Sequence, residues 1–156
     1  MKYIAILFLA TTLVSCGFSD DASPTVVEAV DYTAINEEQI NAYLEANELE
    51  SQTTASGLHY IIENQGDGDK PTASSNVTVA YRGYFLDGSV FDQSADGLSI
   101  GLDQVIAGWT EGIQLLNEGG NGVLLVPAHL GYGSFDFNGI PGGSVLVFDV
   151  ELISVN

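Results

Sequence analysis

The sequence predicts an α+β domain, and two observations support this fold class. Short segments in which apolar and polar side chains alternate recur between residues 58 and 155, as is typical of antiparallel strands with one buried face. Among them, residues 102–116 change their hydrophobic period and predict a strand end that runs into one short helix. Several short strands with a single short helix among them indicate α+β.

The composition limits the class of protein. The chain has 156 residues, of which 46% are hydrophobic and 15% are charged, which is enough for one domain with a proper core. Against 21 acidic residues there are only 3 basic ones, so the formal net charge is −18. This excess of negative charge argues against nucleic acid and anionic lipid surfaces as ligands of the folded part.

Residues 1–15 have the features of a secretory signal peptide. Lys2 gives a basic start, residues 3–10 are apolar but too few to span a bilayer, and Leu13-Val14-Ser15 precedes Cys16, the only cysteine. This arrangement resembles the bacterial lipobox, in which the cysteine becomes the acylated first residue of a lipoprotein. The alternative is an ordinary signal peptide with an incidental cysteine. A single cysteine also excludes an intramolecular disulfide.

An acidic tether and a helix are predicted between the signal peptide and the main domain. Residues 16–35 include Asp20, Asp21 and Pro24 without a sustained hydrophobic period, which is typical of a flexible linker. Residues 36–50 follow as an N-terminal helix. Asn36, followed by Glu37-Glu38-Gln39, has the form of a capping box, so we place the helical residues themselves at 37–46. Residues 51–156 form the main domain.

Two strands of the predicted sheet form a hairpin. In the first, Tyr81 lies on the apolar face and Arg82 on the opposite face, because neighbouring side chains of a strand alternate. Asp87-Gly88 makes the turn, and the chain returns through Phe91 and Asp92. Tyr81 and Phe91 are therefore expected to share one face of the sheet.

Three further segments are predicted to be strands, the first and the last by alternation and the middle one as a short apolar run. They are residues 58–62, residues 122–126, which Pro127 ends, and residues 144–155. In the last of these, Phe148 belongs to the buried face and Val147 to the opposite face. The pattern is that of a half-buried antiparallel strand.

The only tryptophan, Trp109, lies where the strand end meets the short helix. Thr110 is predicted to be the N-cap of that helix, which we place at residues 110–117. Two interpretations are open for Trp109: a core side chain under the helix, which this stretch alone favours, or the floor of a concavity walled by Val105, Ile106 and the backbone amide of Ile106.

Together, these segments carry an ordered series of motifs. The series resembles the FKBP-type peptidyl-prolyl isomerases over about residues 56–156, and this resemblance implies an antiparallel sheet of five or six strands wrapped around one short helix, with a proline pocket between them. The motifs are Tyr81-Arg82-Gly83, Asp87-Gly88, Phe91-Asp92, Val105-Ile106, Gly108-Trp109, Pro127-Ala128-His129, Tyr132-Gly133, Ile140-Pro141 and the run from Phe148 to Leu152.

The resemblance also implies roles for individual residues. Trp109 corresponds to the pocket floor, the Ile106 amide and the Tyr132 hydroxyl to donors for substrate carbonyls, and Asp92 to the carboxylate beside Tyr81. The implied walls are Tyr81, Phe91, Val105, Ile140 and Phe148, to which the short loop between Asp92 and Ile100 adds Leu98 and Ile100. These last two stand where the family usually has aromatic residues, and the loop offers no arginine to Asp92.

The expected function is peptidyl-prolyl cis-trans isomerisation of exported polypeptides, by an aromatic pocket that desolvates and twists the X-Pro amide. Neither a metal nor a cofactor is expected, because the reaction needs no nucleophile and His59 and His129 stand apart without an evident triad. The alternative is a proline-binding or chaperone-like module with little catalysis. The implied partners are proline-containing chains and, through Cys16, a membrane of the cell envelope. We expect a monomer.

Overall fold

The computed structural model describes residues 28–156, so the signal peptide, Cys16 and most of the predicted tether lie outside the described residues. No helix within this range is long and apolar enough to cross a membrane. The elements in chain order are α1 (Thr33–Ala46), β1 (Gln52–Thr53), β2 (His59–Asn64), β3 (Asn76–Phe85), β4 (Val90–Gly101), α2 (Ala107–Ile113), β5 (Asn121–Val126), a 3-10 helix (Ala128–Leu130) and β6 (Leu146–Val155).

The six strands form one antiparallel sheet in the order β1-β2-β5-β6-β3-β4. This architecture confirms the predicted α+β fold with its five or six strands. The segment from Asp92 to Ile100 is not a loop, however. It belongs to β4, which pairs with β3 along its length with two shifts of register. Such shifts let a long strand bend without ending. The residues predicted to form a loop therefore belong to one continuous edge strand.

One face of the sheet packs against α2 through two glycines. A Cβ atom at Gly108 would come within 2.5 Å of Val126, and one at Gly112 within 2.6 Å of Leu124. The absence of side chains at both positions therefore lets α2 lie directly on β5. The core on this face is built from Leu58, Val77, Val79, Leu102, Trp109, Ile113, Leu116, Leu124, Val126, Leu130, Ile140, Leu146, Phe148, Val150 and Leu152.

The predicted bounds of the short helix were wrong by about one turn. α2 begins at Ala107 instead of Thr110 and ends at Ile113 instead of Asn117, with Ile106 as an N-cap in extended conformation. Thr110 does not cap the helix, because its hydroxyl donates a 2.6 Å hydrogen bond to the Leu102 carbonyl. A tertiary partner for this hydroxyl thus replaced the local capping interaction that the sequence pattern suggested.

The opposite face of the sheet is covered by α1. Ile40 and Leu44 of this helix are buried with Leu125, Val145 and Val147. The prediction of a half-buried β6 was therefore wrong at Val147, which is 0% exposed. Alternation in β6 gave the two faces correctly, but it could not show that a helix from elsewhere in the chain covers the second one.

The start of α1 also differs from the prediction. The helix begins at Thr33, whose N–H donates a 2.9 Å hydrogen bond to Asp31 Oδ1, so residues 33–35 belong to it and not to a tether. Asn36 lies inside the helix and is fully buried. Its side chain bonds to backbone groups far along the chain instead of capping α1.

Candidate active site

Trp109 lies in the first turn of α2 and is 5% exposed. Two aromatic rings meet it edge-on: the Tyr81 ring centroid is 4.9 Å away and that of Phe148 is 5.4 Å away. Its buried Nε1 has no hydrogen-bond partner within residues 28–156. The indole is thus held by packing against rings and aliphatic core side chains, and not by a hydrogen bond within the described residues.

Further rings continue the wall from β6 to the β3-β4 hairpin. The centroid of Phe91 lies 5.6 Å from that of Phe148 and 5.0 Å from that of Phe85. Gly83 makes room for this row, because a Cβ atom there would come within 2.8 Å of the Phe91 ring and 2.9 Å of the Phe148 ring. A residue without a side chain near the end of β3 therefore permits the Phe91 and Phe148 rings to meet above it.

Four of these rings, all except Phe85, line a cavity of about 430 Å³, a size in the range of small-ligand sites. Of the eleven residues predicted for the pocket, ten line it, and their proposed roles remain predictions. Ile140 is the exception: it is 8% exposed and belongs instead to a neighbouring cavity. The full lining is Tyr81, Phe91, Asp92, Leu98, Ile100, Gln104, Val105, Ile106, Trp109, Tyr132, Phe137 and Phe148.

Two lining residues were not predicted, namely Gln104 and Phe137. The Phe137 ring stacks on the Tyr132 ring at 4.8 Å and 12°. A second aromatic residue near Tyr132 in a glycine-rich segment was the available signal for Phe137. Gln104 directly precedes Val105, but a polar side chain before a wall residue carries no distinctive signal.

The one charged group of the lining is paired with a tyrosine. The Tyr81 hydroxyl donates a 2.7 Å hydrogen bond to Asp92 Oδ2. Burial, and then this bond, raise the pKa of Tyr81 above 10.0. Burial and the charge of Asp92 also raise the pKa of Tyr132. Both phenols therefore remain protonated donors at neutral pH.

Arg82 is turned away from the cavity, as the strand alternation predicted. Its guanidinium lies 3.9 Å from Asp149 Oδ2 and 4.9 Å from the centre of the Tyr84 ring. Asp92 therefore has no arginine partner within the described part of the chain. The cavity keeps one negative charge at its mouth, where Asp92 is exposed.

The two groups that the sequence predicted as donors to substrate carbonyls have no partner of their own. No hydrogen bond within residues 28–156 uses the Ile106 N–H, which precedes the first turn of α2. The Tyr132 hydroxyl likewise lacks one there, and its side chain is 39% exposed. Both are donors at a largely apolar surface, so a carbonyl-bearing ligand can satisfy them.

Neither histidine lies in the cavity. His59 is 3% exposed and has its Nε2 atom 3.0 Å from Glu37 Oε2 and its Nδ1 atom 3.0 Å from Ser51 Oγ. His129 Nε2 donates a 2.8 Å hydrogen bond to the Ser56 carbonyl. Both imidazoles thus have their hydrogen-bond partners outside the cavity. Among residues 28–156, no group of three His, Cys, Asp or Glu residues could hold a metal ion.

A bent antiparallel sheet closed by a short helix, with an aromatic cavity between them, defines the FKBP class of fold. The family model for FKBP-type peptidyl-prolyl cis-trans isomerases matches residues 68–153. The chain belongs to this family.

Several known proteins are similar to the chain. A probable FKBP-type peptidyl-prolyl cis-trans isomerase FkpA of Neisseria meningitidis is 45% identical over 128 residues, which cover 77% of the chain and 46% of the relative. The corresponding FkpA of Escherichia coli is 42% identical over 127 residues, or 78% of the chain and 47% of the relative. The chain thus spans about half the length of the curated relatives it matches.

Two solved structures are also similar to the chain. The crystal structure of FkpA from Escherichia coli matches with a TM-score of 0.71 and 41% identity, over 80% of the chain and 61% of that structure. A peptidyl-prolyl cis-trans isomerase from Pseudomonas syringae matches with a TM-score of 0.69 and 30% identity, over 83% of the chain and 99% of that structure.

Proposed function

We propose that this chain is a peptidyl-prolyl cis-trans isomerase whose active site is the cavity above Trp109. The observation that carries the proposal is the aromatic lining itself, in which Trp109 meets Tyr81 and Phe148 edge-on. The same lining holds the Ile106 N–H, which no hydrogen bond within residues 28–156 uses. Family membership and the names of the similar proteins support the same activity.

The chemistry requires little beyond such a cavity. The X-Pro amide has a rotation barrier of about 18–20 kcal/mol because rotation breaks resonance between nitrogen and carbonyl. In the twisted amide the carbonyl oxygen loses part of its negative charge. An apolar, water-poor wall therefore disfavours the planar amide more than the twisted one.

Hydrogen bonds supply the rest of the preference for the twisted amide over the planar one. The Ile106 N–H and the Tyr132 hydroxyl would hold the carbonyls that flank the rotating bond and so fix the orientation of the peptide on each side of it. A thousandfold acceleration needs only about 4 kcal/mol. Desolvation with one or two hydrogen bonds of ~0.5–1.5 kcal/mol each is of the required size.

The direct test is exchange spectroscopy on a short X-Pro peptide with the full chain in detergent. Cis and trans forms exchange over tens to hundreds of seconds without a catalyst. At micromolar folded protein we expect exchange at least a hundredfold faster, and Trp109→Ala should abolish the gain. Exchange at the uncatalysed rate in the presence of folded protein would contradict the proposal.

A second function is favoured by the surface around the cavity. Phe137 is 48% exposed and Leu98 38%, and both line the cavity, so its mouth offers apolar side chains to an unfolded chain. These suit a proline-binding or chaperone-like module with weak catalysis. Suppression of aggregation of a refolding protein, without faster X-Pro exchange, would identify this second function.

The place of action follows from the N-terminal pattern. We propose that Cys16 carries lipid and tethers a monomeric domain to a membrane of the cell envelope, where its partners are exported polypeptides that contain proline. Support comes from Lys2, the apolar run that follows it and Leu13-Val14-Ser15 before the only cysteine. Light scattering of the solubilised chain tests the monomer.

A further inference from the structure

The chain between β5 and β6, residues 127–145, supplies one wall of the cavity, and we call it the cavity loop. It contributes Tyr132 and Phe137 to the lining. Apart from the 3-10 helix and one isolated bridge between Phe137 and Ile140, it contains no regular structure. Its shape therefore depends on turns and on contacts with other elements.

Asn36 of α1 joins the two ends of this loop. Its side chain is 0% exposed. Oδ1 accepts a 2.8 Å hydrogen bond from the Ala128 N–H, and Nδ2 donates a 2.9 Å hydrogen bond to the Gly143 carbonyl. Nδ2 also donates to Gln39 Oε1 at 3.0 Å. One buried amide thus holds the first and last turns of the cavity loop together.

Hydrogen bonds continue from these two partners to the position beside Tyr132. The Gly133 N–H donates to the Ala128 carbonyl at 2.8 Å, and the Gly143 N–H donates to the Gly133 carbonyl at 2.9 Å. Gly133 directly follows Tyr132. The backbone at Tyr132 is therefore connected through two peptide groups to the residues that Asn36 binds.

The chain before Asn36 adds contacts with the same loop. The Ser134 hydroxyl donates a hydrogen bond to the Val30 carbonyl. The Tyr32 ring lies against Gly143, where a Cβ atom would come within 2.4 Å of it. The N-terminal segment is thus docked along the cavity loop at several points, with Asn36 as the buried one.

We propose that Asn36 is a positioning residue for the isomerase site: it fixes the cavity loop so that the Tyr132 hydroxyl and the Phe137 ring are held over the bound proline. This inference rests on the proposed function. Asparagine suits the position because one peptide group offers a donor and the other an acceptor. Aspartate lacks the donor, and an apolar residue leaves both groups unpaired in the interior.

A double-mutant cycle in the full chain tests whether Asn36 acts through Tyr132. Asn36→Ala should lower kcat/KM by about tenfold, at a temperature where all variants are folded. In the Tyr132→Phe background the same change should cost less than about threefold, because the donor that Asn36 positions is already absent. Leu44→Ala is the control: it weakens the packing of α1 near Leu125 and should change kcat/KM less than twofold.

Three outcomes would overturn the proposal. Asn36→Ala could be as active as the parent chain, its cost could be the same in both backgrounds, or Leu44→Ala could lose as much activity. If Asn36→Ala does not fold, Asn36→Asp is judged by the same criteria, since it keeps the acceptor for Ala128 and removes the donor to Gly143 and Gln39.

Hydrogen exchange separates this inference from the proposed function. An inactive parent chain would contradict the isomerase activity alone. Exchange of the Gly133 amide, whose bond partner is Ala128 and not Asn36, then reports on the loop itself. In Asn36→Ala we expect it to exchange about tenfold faster relative to the Phe148 amide of β6, and an unchanged ratio would show that Asn36 does not fix the loop.

Discussion

The Tyr81 hydroxyl donates a 2.7 Å hydrogen bond to Asp92 Oδ2, and so ties a ring of the cavity wall to an exposed carboxylate on the neighbouring strand. Burial and this bond raise the pKa of Tyr81, so the phenol remains a donor well past pH 10.0. The bond therefore helps to fix the orientation of Tyr81 against Trp109.

Removal of the carboxylate should impair catalysis without unfolding the domain. Asp92→Leu leaves the Tyr81 hydroxyl without its acceptor, and we expect kcat/KM to fall about three- to tenfold, which corresponds to one hydrogen bond. Because Asp92 is exposed, the melting temperature should change little. Asp92→Asn keeps an acceptor and should retain most of the activity. Equal losses in the two variants would show that charge, and not orientation, matters.

Tyr132→Phe should separate what the hydroxyl contributes to catalysis from what the shape of the ring contributes. The ring remains stacked on Phe137, and only one hydroxyl is removed, which has no hydrogen-bond partner within residues 28–156 and which we propose donates to the substrate. We expect a two- to tenfold loss of kcat/KM, from ~0.5–1.5 kcal/mol, with an unchanged melting temperature. A large loss of stability would mean that the hydroxyl serves the fold.

The pocket was predictable from the sequence where local pattern determines it. Strand alternation placed Tyr81 and Phe91 on one face and Phe148 on the buried face of its own strand. The change of period located Trp109 at the junction of strand and helix, but only the family resemblance implied that it is the pocket floor. Phe137 was missed because a loop residue reaches the cavity through turns that have no period. Family motifs identified Tyr132 in the same loop.

The two errors at helix starts have a common physical cause. Asn36 and Thr110 are both frequent capping residues, and both instead bond to backbone groups contributed by tertiary contacts. A local sequence pattern predicts a local hydrogen bond, because it carries no information about the backbone groups that only folding brings close. The cover of Val147 by α1 was missed for the same reason.

Stability should depend on pH through Glu37. The hydrogen bond to His59 lowers the pKa of this carboxyl below 4.5. A lowered folded-state pKa gives stability that is present above pH 4.5 and is lost as the pH falls through the lowered value. Glu37→Gln should therefore be less stable at neutral pH and show a shallower loss in acid, measured by denaturant midpoints.

The control for Glu37 is its exposed neighbour Glu38. Glu38→Gln should keep both the neutral stability and the steepness of the acid transition of the parent chain. Identical acid profiles for Glu37→Gln and the parent would contradict the coupling between α1 and β2 through His59.

Intact-mass spectrometry tests the proposed lipid anchor on Cys16. The parent chain, expressed in a bacterium that processes lipoproteins, should lose residues 1–15 and carry acyl chains on Cys16. Cys16→Ser should carry none and should leave the membrane fraction. An unacylated parent chain, or a serine variant that still partitions with membranes, would contradict the anchor.

A methyl group at Gly83 should crowd the two aromatic rings that pack against this position. Its Cβ atom would come within 2.8 Å of Phe91 and 2.9 Å of Phe148, so at least one ring must move. Gly83→Ala should lower the free energy of unfolding by about 1–3 kcal/mol, although alanine alone suits a strand better than glycine. Denaturant titration measures this cost, and X-Pro exchange should slow as the wall shifts.

A second substitution distinguishes crowding from a backbone effect. Gly83→Ala combined with Phe91→Leu removes the atoms nearest the new methyl group, so part of the lost stability should return. Activity should not return, because the cavity then lacks a wall ring. If the double variant is less stable by the sum of the two single costs, the rings do not crowd Gly83, and the strand itself is what requires glycine there.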